Sequence, residues 1–253
     1  MMVTLLRRVL VAGALVVAGS GPASAQPAAR HERVTLSLGA GALLPSASLD
    51  VTARHPIYLE SAVVDTSYKY RFGTVFDGGL TYRLARGFGV GVAASWYSQP
   101  KDVAVSAAIP HPFFFQTPRT VSGTAAGARR DVAAAHFEAL YSFRAARRVD
   151  VTVGAGPAFF RVRQTIVDDV SYRDAYPYDA PSFTAASTQR ISGHTAGFGG
   201  SVDIAMRISR RVGVGAVVRA SNANVQFATS PTVTVTTTQA GGVQGAGGVR
   251  LYF

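Results

Sequence analysis

The chain has no cysteine, little charge and no long apolar run, and each absence excludes a class of protein. Without Cys in its 253 residues there is no disulfide scaffold, no thiolate zinc site and no lipid-modified N-terminal cysteine. Charged residues make up 15% of the chain and hydrophobic ones 48%, the opposite of the balance that keeps a chain unfolded. No stretch of about 18 apolar residues occurs, so no transmembrane helix is expected.

The first 25 residues have the layout of a secretory signal. Arg7 and Arg8 supply the charged start, Val9 to Gly19 a short apolar core, and Ala23-Ser24-Ala25 a small-residue cleavage site. The expected organisation is therefore a signal peptide over 1–25 and one domain over 26–253. Of the 25 basic residues, all but Arg7 and Arg8 lie beyond the signal, and they still exceed the 14 acidic ones. A basic excess can signal nucleic acid, but export and the scatter of the charges argue against such a partner. Lipid head groups and other anionic surface polymers are the expected ones.

Alternation runs through the rest of the chain. Val34, Leu36, Leu38, Ala40, Ala42 and Leu44 share one parity, and Thr35, Ser37, Gly39 and Gly41 take the other. Similar segments lie near 72–84, 88–96, 131–143, 149–166, 190–208, 212–227 and 238–253, which makes eight strands. Short turns at Ala85–Gly87, Arg144–Arg148 and Ser209–Arg211 alternate with long connections at 45–71, 97–130, 167–189 and 228–237. All the short turns then fall at one end, with both termini. The second and fifth segments look long enough to continue beyond a membrane.

Alternation alone does not say which face is outward. Aromatics near the segment ends favour an apolar exterior: Tyr70, Phe72, Trp96, Tyr97, Phe159 and Phe160 on the long-loop side, and Tyr82, Phe88, Tyr141, Phe143 and Phe253 on the short-turn side. The polar parity is rich in Gly and Ser, which suits the tight interior of an eight-stranded barrel.

A terminal Phe253 closing an alternating last strand (Val249, Leu251, Phe253), after a signal peptide, resembles the assembly signal of bacterial outer-membrane barrels. From Arg33 to Phe253 the chain is similar to the small outer-membrane β-barrel domain family, with its OmpA-, OmpX- and OmpW-like members. Leu251 departs from the family, standing where an aromatic residue is common. The resemblance implies an all-β, eight-stranded antiparallel up-and-down transmembrane β-barrel in the bacterial outer membrane, with both termini periplasmic. It also implies outer-membrane lipid and lipopolysaccharide, the barrel-assembly machinery and periplasmic chaperones as partners, and a monomer. With Phe253 as the last residue, no periplasmic domain of the OmpA type is expected.

The polar parity collects Asp77, Arg83, His136, Glu138, Asp150, Asp203, Arg207, Arg219 and Arg250 as a lumen charge network. Unpaired charges in a narrow lumen are costly, so mixed signs imply either a paired plug or a wet constriction. Parity does not supply the register between strands, so the pairs stay unassigned. Some similar barrels are lipid-modifying enzymes using His, Ser and an acid, but such sites face lipid and His136 belongs to the inward parity. No catalytic residues, cofactor or metal are expected. Asp168, Asp169, Asp174 and Asp179 make the third long connection acidic, without the spacing of a calcium loop. In the second, Phe113, Phe114 and Phe115 form a candidate contact site, or alternatively rings folded over the barrel mouth or set at the lipid interface. The expected role is non-enzymatic, membrane-stabilising or surface-interacting through the long loops. The alternatives are a narrow passive channel for small or apolar solutes and a lipid-modifying enzyme.

Overall fold

A computed structural model of the chain describes residues 33–45, 48–227 and 232–253. The expected signal segment, 1–25, lies outside the described residues. Among the described residues there are eleven strands and no helix: β1 Val34–Pro45, β2 Ser48–Ile57, β3 Glu60–Lys69, β4 Gly73–Arg83, β5 Phe88–Ile109, β6 Arg119–Ala146, β7 Val149–Arg173, β8 Ser182–Arg207, β9 Val212–Val225, β10 Val233–Val235 and β11 Thr238–Tyr252.

Eight of them close a ring, each antiparallel to its neighbours, in the order β1-β4-β5-β6-β7-β8-β9-β11 and back to β1. These are the eight segments that alternation picks out. The β4–β5 connection shows why the turns at one end are short. Arg86 (φ 53°) and Gly87 (φ 87°) both take the left-handed conformation, and the Phe88 amide donates to the Ala85 carbonyl at 2.9 Å. Two such residues give a turn whose twist matches that of the strands it joins. The seam between the termini closes at the same end, where Val34 and Phe253 exchange backbone hydrogen bonds of 3.1 and 2.9 Å.

The long connections are not loops for most of their length. β5, β6, β7 and β8 run 22, 28, 25 and 26 residues, well past the apolar band. β2 and β3 form a hairpin above it, with β3 on upper β5 (Val63–Thr66 against Val105–Ala108) and β10 on β2. Of the two segments expected to continue beyond a membrane, only β7 does; β4 stops at 11 residues, and β5, β6 and β8 supply the remaining height.

Which face is apolar reverses part-way up each tall strand. On lower β5 the even residues Phe88, Val90, Val92 and Trp96 point outward and are exposed, while Ala93 and Ser95 point in. Past Tyr97 the inward odd residues Val103, Val105, Ala107 and Ile109 become the apolar ones. On β7 the outward row runs Val153, Ala155, Pro157, Phe159 and then Arg161 and Arg163, while Val162 and Ile166 are buried inside. In the lower storey the outer wall is apolar, as a surface wetted by hydrocarbon must be. In the upper storey Leu49, Val51, Val64, Tyr68, Val105, Ile109, Val121 and Ile166 pack inward, as they would in water. We call this upper storey the cap.

Period two also corrects the aromatic bands. Neighbouring residues on a strand face opposite ways, so Trp96–Tyr97 and Phe159–Phe160 can each give the belt only one ring: Trp96 and Phe159 are exposed, Tyr97 and Phe160 buried inside. Between β3 and β4, Phe72 is exposed and Tyr70 is buried.

Candidate functional site

The lumen charges lie on the inward parity of β4, β6, β7, β8, β9 and β11, and closure of the ring settles their pairing. Arg219 on β9 bridges two carboxylates: its Nη1 donates to Asp77 Oδ2 on β4, and its Nε to Glu138 Oε1 on β6 at 3.1 Å. Ser201 donates to Glu138 Oε2 at 2.8 Å and Gln244 to Asp77 Oδ2 at 3.0 Å, so both acids keep a second donor. Nearer the short turns, Asp150 accepts from Arg207 Nε at 2.9 Å and lies 3.5 Å from Arg144 and 3.9 Å from Arg83. The Arg207 guanidinium lies 4.2 Å from the centre of the Tyr252 ring, and Arg250 donates to Asp203 at 3.0 Å. Pairing of this kind is what makes buried charge tolerable. The space left among these side chains is a cavity of about 70 Å³.

His136 stands apart from the network. It is buried, meets the Phe160 ring edge-on at 5.9 Å, and neither ring nitrogen has a hydrogen-bond partner among the described residues. Two charged residues that sequence reasoning did not single out join these groups. One is Arg144, half-exposed at the short-turn rim beside Asp150. The other is Arg130, whose Nη2 donates to the Gln239 carbonyl at 2.8 Å and whose guanidinium lies 4.9 Å from the Tyr70 ring centre. Arg130 shares the parity of His136 and Glu138, which was the signal available for it. Around Arg130 an apolar layer of Leu43, Val75, Val132, Phe160, Val162 and Val225 separates the lumen charges from the cap.

At the far end of the cap three turns come together. Arg119 donates to Asp174 (2.7 and 3.3 Å), to the Tyr178 carbonyl at 2.5 Å and to the Pro110 carbonyl at 3.0 Å, joining the β5–β6 and β7–β8 connections. His111 Nδ1 accepts from the Phe113 and Phe114 amides at 3.1 and 3.2 Å and curls the chain, while its Nε2 lies 3.7 Å from Asp179. The Gln116 amide donates to Glu60 Oε1 at 2.8 Å, tying in the β2–β3 turn with Tyr58 and Leu59. On this frame Phe113, Phe114 and Phe115 are 71%, 61% and 71% exposed, and Tyr176 is 88% exposed. Phe113 meets Tyr178 edge-on at 5.4 Å, and Tyr178 meets Tyr176 at 6.2 Å. The rings stand out into solvent and do not fold over a mouth.

Of the four acids in the third connection, Asp174 pairs with Arg119 and Asp179 faces His111. Among the described residues no group of three or more His, Cys, Asp or Glu is placed to hold a metal ion. Inside the cap the Val167 amide donates to Tyr68 Oη at 2.7 Å, and burial pushes the Tyr68 phenol up to about 12. Tyr70 is raised as well, by burial that outweighs the neighbouring Arg130 charge.

No curated protein matches the chain in sequence. Among solved structures it is similar to Neisserial surface protein A, at 16% identity and TM-score 0.46, covering 87% of this chain and 97% of that one. It is also similar to the outer membrane protease OmpT of Escherichia coli, at 7% identity and TM-score 0.47 over 90% and 99% of the two chains. A third is Ail, the attachment invasion locus protein of Yersinia pestis, at 11% identity and TM-score 0.33 over 86% and 99%. The family model described as outer membrane protein beta-barrel domain matches residues 13–247, nearly the whole chain. With a closed eight-stranded ring, an apolar outer band and that match, the chain belongs to the outer membrane protein β-barrel domain family.

Proposed function

We propose that the protein is a non-enzymatic outer-membrane barrel that acts at the cell surface, through contact between the aromatic rings at the top of its cap and a partner. On this reading the termini and the three short turns are periplasmic and the cap stands outside the cell. The summit carries the proposal: Phe113, Phe114, Phe115 and Tyr176 are held in solvent by a frame of hydrogen bonds and an ion pair. A cluster of apolar rings kept out of a core marks an interaction surface.

The interior supports a closed barrel over a channel. The acids of the lower lumen, Asp77, Glu138, Asp150 and Asp203, are each paired with arginine, and an apolar layer and the packed cap core lie above them. It supports a non-enzymatic role too. Nucleophilic chemistry needs a base within hydrogen-bond reach of the nucleophile, yet Ser201 is spent on Glu138 and His136 has no such partner. A ring without a free edge in the apolar band favours a monomer in the membrane. Lipopolysaccharide, the barrel-assembly machinery and periplasmic chaperones are the partners that this location would bring.

Replacing Phe113, Phe114 and Phe115 together by Ser tests the contact role. Cells carrying the variant should lose adhesion to surfaces or to other cells, while the purified protein keeps its shift in gel mobility on boiling. Unchanged adhesion would sink the proposal. Folded wild-type protein in a planar bilayer should give no conductance steps; reproducible ohmic steps would move the channel reading to first place.

A further inference from the structure

The lipid-facing wall carries a groove of about 790 Å³, within the range of roughly 300–1,000 Å³ typical of ligand clefts. Small side chains make its floor. Gly78, Ala94 and Ala135 form one register row across β4, β5 and β6, and Ala133 lies in the row above. Phe76 and Trp96, stacked at 6.4 Å between ring centres, wall one side, and Phe159 walls the other. At the end nearer the cap the groove meets charge: the row containing Phe76, Trp96 and Ala133 continues into Arg161 on β7 and His194 on β8. Arg163 and Arg190 follow on the same outer faces. Arg161, Arg163 and Arg190 are exposed and have no ion pair among the described residues. The outward carboxylate in the next row, Asp131, is taken up by Arg129 at 2.9 Å.

We propose that this groove is a lipid site that seats an acyl chain of a phosphorylated glycolipid of the outer leaflet, with the phosphates on Arg161, Arg163, Arg190 and His194. The floor lets a chain approach the strand backbones between aromatic walls. The cations stand only at one end, at the edge of the apolar band, where a head group would lie. Arg190 stands opposite Thr165, four residues along β7 from Arg161, roughly 13 Å, so the cations span more than the single phosphate of a phospholipid would fill. Guanidinium groups bind phosphate oxygens in a bidentate fork. The choice of leaflet rests on the cap facing outward.

The test is native mass spectrometry of the full chain in detergent, titrated with diphosphoryl lipid A, its dephosphorylated form and phosphatidylglycerol. Wild type should retain diphosphoryl lipid A well above the other two. Replacing Arg161, Arg163 and Arg190 together by Gln should weaken that binding on the order of a hundredfold, at roughly 1 kcal/mol per cation beside an anionic surface. Ala135→Phe, which fills the floor, should weaken it about tenfold, roughly one buried chain segment's worth. Equal retention of phosphatidylglycerol, or undiminished lipid A binding by the Gln variant, would overturn the proposal. The three arginines are exposed, so that variant keeps its fold however Ala135→Phe behaves. Protease cleavage of the cap on intact cells tests its orientation separately, so failure of that reading is distinguishable from failure of the site.

Discussion

Arg119 and Asp174, 55 residues apart in the chain, form a two-pronged ion pair at the top of the cap. Arg119 is almost completely buried, and its remaining bonds go to the backbone carbonyls of Pro110 and Tyr178. One side chain thus couples the two tallest hairpins and sets the height at which Phe113 and Tyr178 meet.

Removing one member of that pair should loosen the cap and spare the barrel. Asp174→Ala leaves a buried guanidinium without its carboxylate, a loss of roughly 3–5 kcal/mol. Limited proteolysis should cut near 110–118 or 174–181 in the variant faster than in wild type. The mobility shift on boiling, which reports the closed ring, should persist.

Arg219 should matter in the opposite way, to the barrel and not to the summit. Arg219→Ala strands Asp77 and Glu138 together in the lumen, again at a cost of roughly 3–5 kcal/mol. Urea unfolding in lipid vesicles should show the lower midpoint, and Arg219→Lys should restore only part of it because a single ammonium cannot reproduce the fork.

The β1–β11 seam depends on close backbone approach. A Cβ placed on Gly41 would lie 1.9 Å from the Gly245 carbonyl oxygen, an atom that cannot swing aside. Gly41→Val should therefore destabilise closure by about 1–3 kcal/mol or more, as overpacking does. The measurement is the fraction of protein reaching the heat-modifiable form on refolding.

Alkaline pH should weaken the cap through Tyr68. Its folded pKa, about 12, lies above the ordinary value of 10.0, so between those values the unfolded chain gives up a proton that the folded cap retains. The stabilisation is complete below about pH 10 and falls as pH rises towards 12. Phenolate absorbance should show more than one tyrosine titrating late in the folded protein, Tyr68 and Tyr70 among them, and Tyr68→Phe should reduce the amplitude of that late step by one phenol.

The eight ring strands were legible because each shows its period-two pattern locally, in runs such as Phe88 to Trp96. The cap was equally present as a pattern and was missed for a physical reason. Its apolar parity is the reverse of the barrel's: even on β5 up to Trp96, odd from Val103 to Ile109. A search for one continuous stripe stops at that inversion, and 97–130 then looks like a loop. The inversion marks where hydrocarbon gives way to water. Arg130 was missed with it, lying at the junction of the two storeys.

From the order of residues alone come the strands, the short turns at one end, the inward parity of Asp77, Glu138 and Arg219, and the unusual Phe113–Phe115 run. These follow from local rules: a side chain's face depends only on its place in its own strand. The partner of each charge depends instead on the stagger between strands, which is set when the ring closes. That Arg219 meets both Asp77 and Glu138, that Arg119 reaches Asp174, and that Ala133 lies in one row with Arg161 are consequences of closure. Each joins strands whose relative height no local pattern specifies.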